Sequence, residues 1–127
     1  MKAILDTNLL VAGDLAHPGY DVAVACLSWA ELEHGVRAAR TQLERARRET
    51  RIARLRALLG HGLPFDDAAV DAYGTLCGLV LGNGREVRGR AIDLMIAATA
   101  AAHDAAVLTR DAADFAGLDD FVTVTSV

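Results

Sequence analysis

The stretch Ala3-Ile4-Leu5-Asp6-Thr7-Asn8 places a short apolar run directly before three polar residues. Ala3 to Leu5 is typical of a short buried strand, and the polar residues offer a cap to a helix through Leu9 to Val11. A strand followed at once by a helix is the first unit of an alternating α/β fold. Asp6 therefore stands at the carboxyl end of a strand, where open α/β proteins build their ligand sites.

The rest of the chain continues to alternate strand patterns with helical patterns. Strand patterns cover Val22 to Leu27, Leu63 to Phe65, Ala106 to Thr109 and Phe121 to Val127. Helical patterns cover Trp29 to Arg40, Thr41 to Leu59, Asp66 or Asp67 to Gly82 and Arg90 to His103, with a helical turn from Asp111 to Phe115. This order predicts a central parallel sheet of about five short strands with helices on both faces.

Length and composition restrict the class of protein. The 127 residues fit one domain spanning the whole chain, and the net charge of -4 argues against non-specific coating of nucleic acid. The N-terminal run lacks the apolar core of a signal peptide, and no segment approaches the roughly 20 apolar residues of a membrane span. Cys26 and Cys77 lack metal-ligand spacing, which favours buried thiols. These features predict a cytoplasmic protein.

Three further acidic residues follow or interrupt apolar runs as Asp6 does. Glu31 lies in Ser28-Trp29-Ala30-Glu31-Leu32, Asp93 follows Ala91-Ile92, and Asp114 follows the apolar run that ends at Leu108. Carboxylates crowded together repel one another, so they take up protons or bind hard cations such as Mg²⁺ or Mn²⁺. Convergence at one sheet edge therefore predicts a metal-dependent site for phosphoryl transfer.

Each of these acids also has a purely structural explanation, including Asp93, which sits near a helix start where its charge suits the helix dipole. Ser28 and Glu31 have the spacing of a capping box, and Asp111 and Asp114 resemble one. Asp6 is placed to cap the first helix. Such caps contribute only about 0.5 to 2 kcal/mol and would make these acids unremarkable.

Asp93 is harder to explain as a cap. It lies one turn into an almost wholly apolar helix, where an unpaired charge is costly. Arg88, Arg90 or a divalent cation could compensate this charge. A cation explains all four acids at once.

The order and surroundings of these acids resemble the PIN domain family. The matching segments are Leu5 to Asn8, Ala30-Glu31-Leu32-x-x-Gly35, Arg90 to Ala100 and Leu108 to Phe115. More narrowly, the sequence resembles the VapC-type toxins, the ribonuclease halves of bacterial type II toxin–antitoxin pairs. Each motif is weak alone, whereas four in the expected order across nearly the whole chain are specific.

The resemblance implies a PIN-like fold and an endoribonuclease activity that depends on Mg²⁺ or Mn²⁺. The implied acidic quartet, catalytic and metal-binding, is Asp6, Glu31, Asp93 and Asp114, with Asp6 and Asp93 as the first choice of direct ligands. The expected supporting residues are Thr7, Asn8, Thr109 and Asp111. Asp111 stands where many relatives carry asparagine, so it is either an extra acid of the site or a cap. Cleavage would leave 5′-phosphate and 3′-hydroxyl ends.

Positive charge is expected beside an acidic cleft that receives RNA. The segment from Arg37 to Arg56 holds eight arginines, and a second cluster surrounds Arg88. The candidates for contact with RNA or with an antitoxin are Arg45, Arg47, Arg48, Arg88 and Arg90. A solvated helix face is the alternative for each of them. The resemblance further implies a VapB-type antitoxin that lies across the active site, and a homodimer.

Other activities are compatible with the same residues. The chain could be a PIN-fold nuclease that processes RNA or cuts DNA, or a binding module without catalysis, although the complete quartet argues against the latter. A haloacid dehalogenase-like phosphatase needs a second aspartate two residues after the first, where this chain has Asn8. Only 25 positions separate Asp6 from Glu31, whereas many members of the resembled family place a helix there. This connection, through His17-Pro18-Gly19, is therefore expected to be short, and it leaves the shape of the substrate groove undecided.

Overall fold

The computed structural model describes residues 1 to 127 as an alternating arrangement of strands and helices. The strands are β1 (Lys2–Leu5), β2 (Asp21–Ala23), β3 (Ala106–Thr109) and β4 (Val124–Ser126). The helices are α1 (Thr7–Ala12), α2 (Cys26–Arg37), α3 (Gln42–Leu59), α4 (Asp67–Gly82) and α5 (Ala91–Ala102), and a 3₁₀ turn covers Ala112–Phe115. None of the helices combines the length and apolar character needed to cross a membrane.

The four strands form one parallel sheet in the order β2-β1-β3-β4. Ile4 lies opposite Ala23 on one side and Val107 on the other, so β1 and β3 occupy the centre. The ladder continues past the end of β1, because the Asp6 backbone N–H donates to the Leu108 carbonyl at 2.9 Å. The predicted parallel α/β fold is confirmed, and Asp6 is fixed to the carboxyl edge of its centre.

Helices cover both faces of the sheet, as predicted. Ile4 and Val107 pack into a core with α4 and α5 that includes Leu94. Their strand neighbours point the other way, where Leu5 packs with residues of α1, α2 and α3 such as Trp29. Because packed helices bury both faces of the sheet, polar side chains are accommodated where the strands end.

The expected fifth strand, Leu63 to Phe65, is reduced to one parallel bridge between Leu63 and Ala25. The Leu63 N–H donates to the Val24 carbonyl at 2.7 Å, and the Cys26 N–H donates to the Leu63 carbonyl at 2.9 Å. The ladder stops there because the neighbouring chain enters α2 at Cys26. The sheet therefore has four strands and not about five.

The capping box predicted for Ser28 and Glu31 is wrong. Helix α2 begins at Cys26, its N-cap residue Ala25 offers no side-chain hydrogen bond, and Ser28 lies inside the helix, fully buried. The Cys26 N–H at this helix start is satisfied by the distant Leu63 carbonyl, which no local sequence rule detects. Cys26 is also exposed, contrary to the expected buried thiol, and its Sγ donates to the Gly62 carbonyl at 3.2 Å.

Candidate active site

Asp6 is the most buried carboxylate of the site, with 5% of its surface exposed. Its Oδ1 accepts from the Thr7 backbone N–H and its Oδ2 from the Thr109 hydroxyl, both at 2.8 Å. Burial raises the pKa of Asp6, the two hydrogen bonds oppose that rise, and the charges of Asp111 and Asp114 add to it. Asp6 therefore caps α1, as predicted, and is held with both oxygens oriented among other acids.

Glu31 is connected to Asp6 through the residue that follows Asp6. The Thr7 hydroxyl donates to Glu31 Oε1 at 2.7 Å and lies 2.9 Å from the Ser28 hydroxyl. A hydroxyl has a single proton, so Thr7, which donates to Glu31, must accept from Ser28. Ser28 thus orients Thr7, and Thr7 contacts both acids; the i, i+3 spacing of Ser28 and Glu31 was the signal in the sequence, although it suggested a cap.

Asp93 lies in the first turn of α5 and is half-buried. Its pKa is raised to about 6, first by burial and then by the charges of Asp6, Asp114 and Glu31, whereas Arg90 lowers it. Because the charges of the other three acids all act on Asp93, the four predicted acids lie near one another at the carboxyl edge of the sheet. The structure therefore brings the acidic quartet together.

The 3₁₀ turn after β3 brings Asp114 to this site and Asp111 to its edge. Asp111 precedes the turn without capping it through its side chain. Instead, Asp111 Oδ2 accepts from Asn8 Nδ2 at 2.7 Å, and the Asp111 backbone N–H donates to the Thr109 hydroxyl at 2.9 Å. Asn8, Thr109 and Asp111 therefore form one chain of hydrogen bonds that ends on Asp6.

The predicted arginine contacts separate into two groups. Arg45, Arg47 and Arg88 are exposed, and none of them makes a side-chain hydrogen bond or an ion pair. Arg48 is held by Glu44 at 3.0 Å and by the Gly35 carbonyl at 2.6 Å. Arg90 donates to the carbonyls of the 3₁₀ turn. The last two side chains are committed within the protein.

Two open cavities adjoin Glu31. One of about 320 Å³ lies between Glu31 and the start of α5, including Asp93. The other, of about 350 Å³, runs from Thr7 and Glu31 between α2 and α3, and Arg51 lines it. Arg51 was not singled out by the sequence, because its charge is one of eight in the same segment.

The donor set of the site is suited to a hard divalent cation. Four carboxylates meet there, and the raised pKa values of Asp6 and Asp93 reflect burial and negative charges that the nearby Arg90 only partly balances. Carboxylate oxygens are the ligands that Mg²⁺ and Mn²⁺ prefer. No three side chains are already arranged as a ligand set for one ion, so the carboxylates would have to move closer together to bind it.

Comparison with known proteins identifies the family. The PIN domain model matches residues 3–120, and the chain belongs to the PIN domain family. No curated protein matches the chain significantly in sequence. Within the family, the narrower resemblance to VapC-type toxins is confirmed by similarity to a solved member of the VapBC family that is 36% identical.

The similar solved structures include two VapBC proteins and FitAcB. VapBC-5 from Mycobacterium tuberculosis, described as a member of the VapBC family, is 36% identical with a TM-score of 0.80, over 99% of this chain and 97% of that one. FitAcB from Neisseria gonorrhoeae is 28% identical with a TM-score of 0.76, over 98% and 96%. VapBC2 from Rickettsia felis, bound to a DNA fragment from its promoter, is 20% identical with a TM-score of 0.79, over 100% and 99%, and supports the fold alone.

Proposed function

We propose that this protein is the toxin of a VapC-type pair and acts as an endoribonuclease dependent on Mg²⁺ or Mn²⁺. The observation that carries the proposal is the convergence of Asp6, Glu31, Asp93 and Asp114 at the carboxyl edge of a PIN-fold sheet. A surplus of negative charge is unfavourable in a site that only binds RNA, whereas it is expected where cations offset both the acids and the phosphate.

The residues of the chain have distinct tasks in this mechanism. Asp6 and Asp93 would hold the ion directly, and Glu31 and Asp114 would complete its surroundings or accept a proton from water. A bound divalent ion polarises a phosphoryl oxygen and lowers the pKa of water, so no side-chain nucleophile is required. Thr7 and Thr109 fix the oxygens of Glu31 and Asp6, which keeps the acids in place while the substrate enters.

We propose that the RNA strand passes the cavity between α2 and α3. Arg51 lines this cavity one helical turn after Arg48 and makes no hydrogen bond or ion pair within the protein. Phosphate contacts of this kind position a strand without reading its sequence.

In an Asp6→Asn background, Arg51→Gln should weaken RNA binding and flatten its salt dependence by up to about one unit, whereas the exposed Arg54→Gln on the same helix should not. Equal effects of both variants would exclude a specific path.

The partners follow from the same proposal. A VapB-type antitoxin would cover the acidic site, and the remaining exposed arginines, Arg45, Arg47 and Arg88, are candidates for its contacts or for RNA. We further propose a homodimer that acts in the cytoplasm. The similarity to VapBC-5 supports the antitoxin partner.

The decisive experiment is cleavage of end-labelled RNA and matched DNA by the purified protein with Mg²⁺, with Mn²⁺ and with EDTA. We expect metal-dependent cleavage of RNA that leaves 5′-phosphates, and its loss in Asp6→Asn and Asp93→Asn. Asp119→Asn changes an exposed acid whose charge does not contribute to the raised pKa of Asp6 or Asp93, so it is the control and should remain active. Unchanged cleavage in EDTA, or by Asp93→Asn, would overturn the proposed function.

A further inference from the structure

We propose that Arg90 is a positioning residue that holds the 3₁₀ turn, and with it Asp114, opposite Asp93. The inference rests on the proposed function of the site, because Asp114 matters only if the quartet acts together. It assigns to Arg90 a role inside the protein, in place of the contact with RNA or antitoxin that the sequence suggests.

The evidence is a pair of hydrogen bonds from one nitrogen. Arg90 Nη2 donates to the Asp114 carbonyl at 2.6 Å and to the Ala113 carbonyl at 3.1 Å. The Ala113 carbonyl also accepts from the Ala116 N–H, whereas no N–H beyond the turn reaches the Asp114 carbonyl. Carbonyls at the end of a helical turn lack partners within it, and a cation is a strong donor to them. Arg90 therefore caps the end of this turn.

The turn has few other supports. It is four residues long, and its preceding residue, Asp111, gives it no side-chain cap. Phe115, 1% exposed, anchors its last residue in the core. Asp114 itself is exposed, so its position depends on the backbone that carries it. A bond to its own carbonyl acts directly on that backbone.

The position of Arg90 in the chain explains the choice of residue. Arg90 directly precedes α5 and stands three residues before Asp93, so one side chain connects the two elements that carry Asp93 and Asp114. Both bonds come from the two protons of Nη2, which the guanidinium plane holds in fixed directions. Arg88, two residues earlier, is exposed and makes no such contact, which provides a matched control.

The first test follows the backbone without metal. Amide hydrogen exchange of residues 112 to 116 should be about tenfold faster in Arg90→Gln than in the parent protein. Without Arg90, opening the turn no longer breaks the hydrogen bonds to its carbonyls, so the open state is populated more often. Arg88→Gln should leave these rates unchanged. Arg90→Lys, which keeps the charge and replaces the planar guanidinium by the three N–H donors of an ammonium group, should restore part of the protection. Unchanged exchange in Arg90→Gln would overturn the inference.

The second test is a double-mutant cycle with Asp114. Mn²⁺ binding, measured by electron paramagnetic resonance, should weaken by about tenfold in Arg90→Gln and in Asp114→Asn, and no further in the double variant. Additive losses would overturn the inference, because Arg90 would then act independently of Asp114. A normal Mn²⁺ affinity in Arg90→Gln, with weaker RNA binding in the Asp6→Asn background, would make Arg90 a strand contact. If Arg90→Gln loosens the turn but the parent protein neither binds Mn²⁺ nor cleaves RNA, the proposed function fails and the structural role of Arg90 stands.

Discussion

At the scale of the residue, Asp93 shows how the site opposes folding. Its pKa is about 6 in the structure against an ordinary value of 3.8. Between these values the folded protein binds more protons than the unfolded chain, so this group lowers the free energy of unfolding as pH rises through the interval. The full shift corresponds to about 3 kcal/mol, and screening of a partly exposed group reduces it to about 1 to 2 kcal/mol.

Asp93→Asn should therefore stabilise the metal-free protein near neutral pH and have little effect on it in acid. Urea unfolding in EDTA at about pH 3, below both pKa values, and at about pH 7.5 measures the difference. The gain of the variant over the parent should be about 1 to 2 kcal/mol at the higher pH only. A gain of equal size at both pH values would mean that the charge of Asp93 is not its cause.

Glu31 allows charge to be separated from hydrogen bonding. The oxygen that accepts from Thr7 is kept in Glu31→Gln, whereas the negative charge is lost. We expect cleavage at limiting Mg²⁺ to fall by about tenfold to a hundredfold, with stability changed by no more than about 1 kcal/mol. Glu33→Gln, on the same helix and paired with Arg37, is the control that should cleave normally. Wild-type cleavage by Glu31→Gln would remove Glu31 from the site.

The sequence predicts the buried acids better than their partners. Asp6 could be found because a strand end followed by a cap is a local pattern, and the structure places it there. Ser28 could not, because its hydroxyl serves Thr7, which is distant in sequence. The spacing of Ser28 and Glu31 suggested a local capping box. Only the tertiary structure shows that both side chains instead contact Thr7.

At the scale of the element, the start of α2 depends on a glycine in the loop between α3 and α4. A Cβ at Gly62 would lie 2.7 Å from the Cys26 nitrogen and 2.8 Å from its Cα, closer than backbone and side chain can approach. Gly62 therefore allows the Leu63 segment to bond the start of α2, the helix that carries Ser28 and Glu31. This contact fixes the helix relative to the sheet.

Gly62→Ala should displace the start of α2 and lower both stability, by about 1 to 3 kcal/mol, and cleavage. Gly74→Ala is the matched control, because nothing lies within 4 Å of a Cβ there and an exposed helical glycine gains up to about 1 kcal/mol from alanine. Chemical unfolding and the cleavage rate are the two measurements. Full stability and activity in Gly62→Ala would show that α2 does not depend on this close approach.

The boundaries of elements were predicted least well, because they depend on contacts with segments that are distant in sequence. The apolar run Val22 to Leu27 has the composition of a strand, yet its second half is the beginning of α2. The Leu63 carbonyl takes the place of a side-chain cap at the start of α2, and it belongs to a segment distant in sequence. By contrast α4, whose cap is its own neighbour Asp66, begins where the sequence predicts.

At the scale of the whole molecule, the order of strands explains why the acids meet. All four strands are parallel, so the residues after β1 and β3 leave the sheet at the same edge. The alternation of strand and helix patterns was sufficient to predict this, because parallel strands need crossing helices. The distances within the site were not predictable, since they depend on how α2 and α5 pack on opposite faces.

The same geometry makes the stability of the whole molecule depend on metal and pH together. Without metal, the raised pKa values of Asp6 and Asp93 make the folded protein less stable as pH rises. Ion binding requires deprotonated carboxylates, so its contribution should grow over the same interval. We expect Mg²⁺ at about a hundred times its dissociation constant to add about 2.7 kcal/mol near neutral pH, and much less at about pH 4.5.

Thermal unfolding in Mg²⁺ and in EDTA at the two pH values measures this linkage. Asp93→Asn should remove most of the stabilisation by Mg²⁺ and should raise the stability in EDTA. One substitution therefore changes these two contributions to stability in opposite directions. Asp119→Asn should preserve both terms. Equal stabilisation by Mg²⁺ at both pH values would place the ion at sites other than the acidic quartet, because only groups that exchange protons in this interval can make the binding of the ion depend on it.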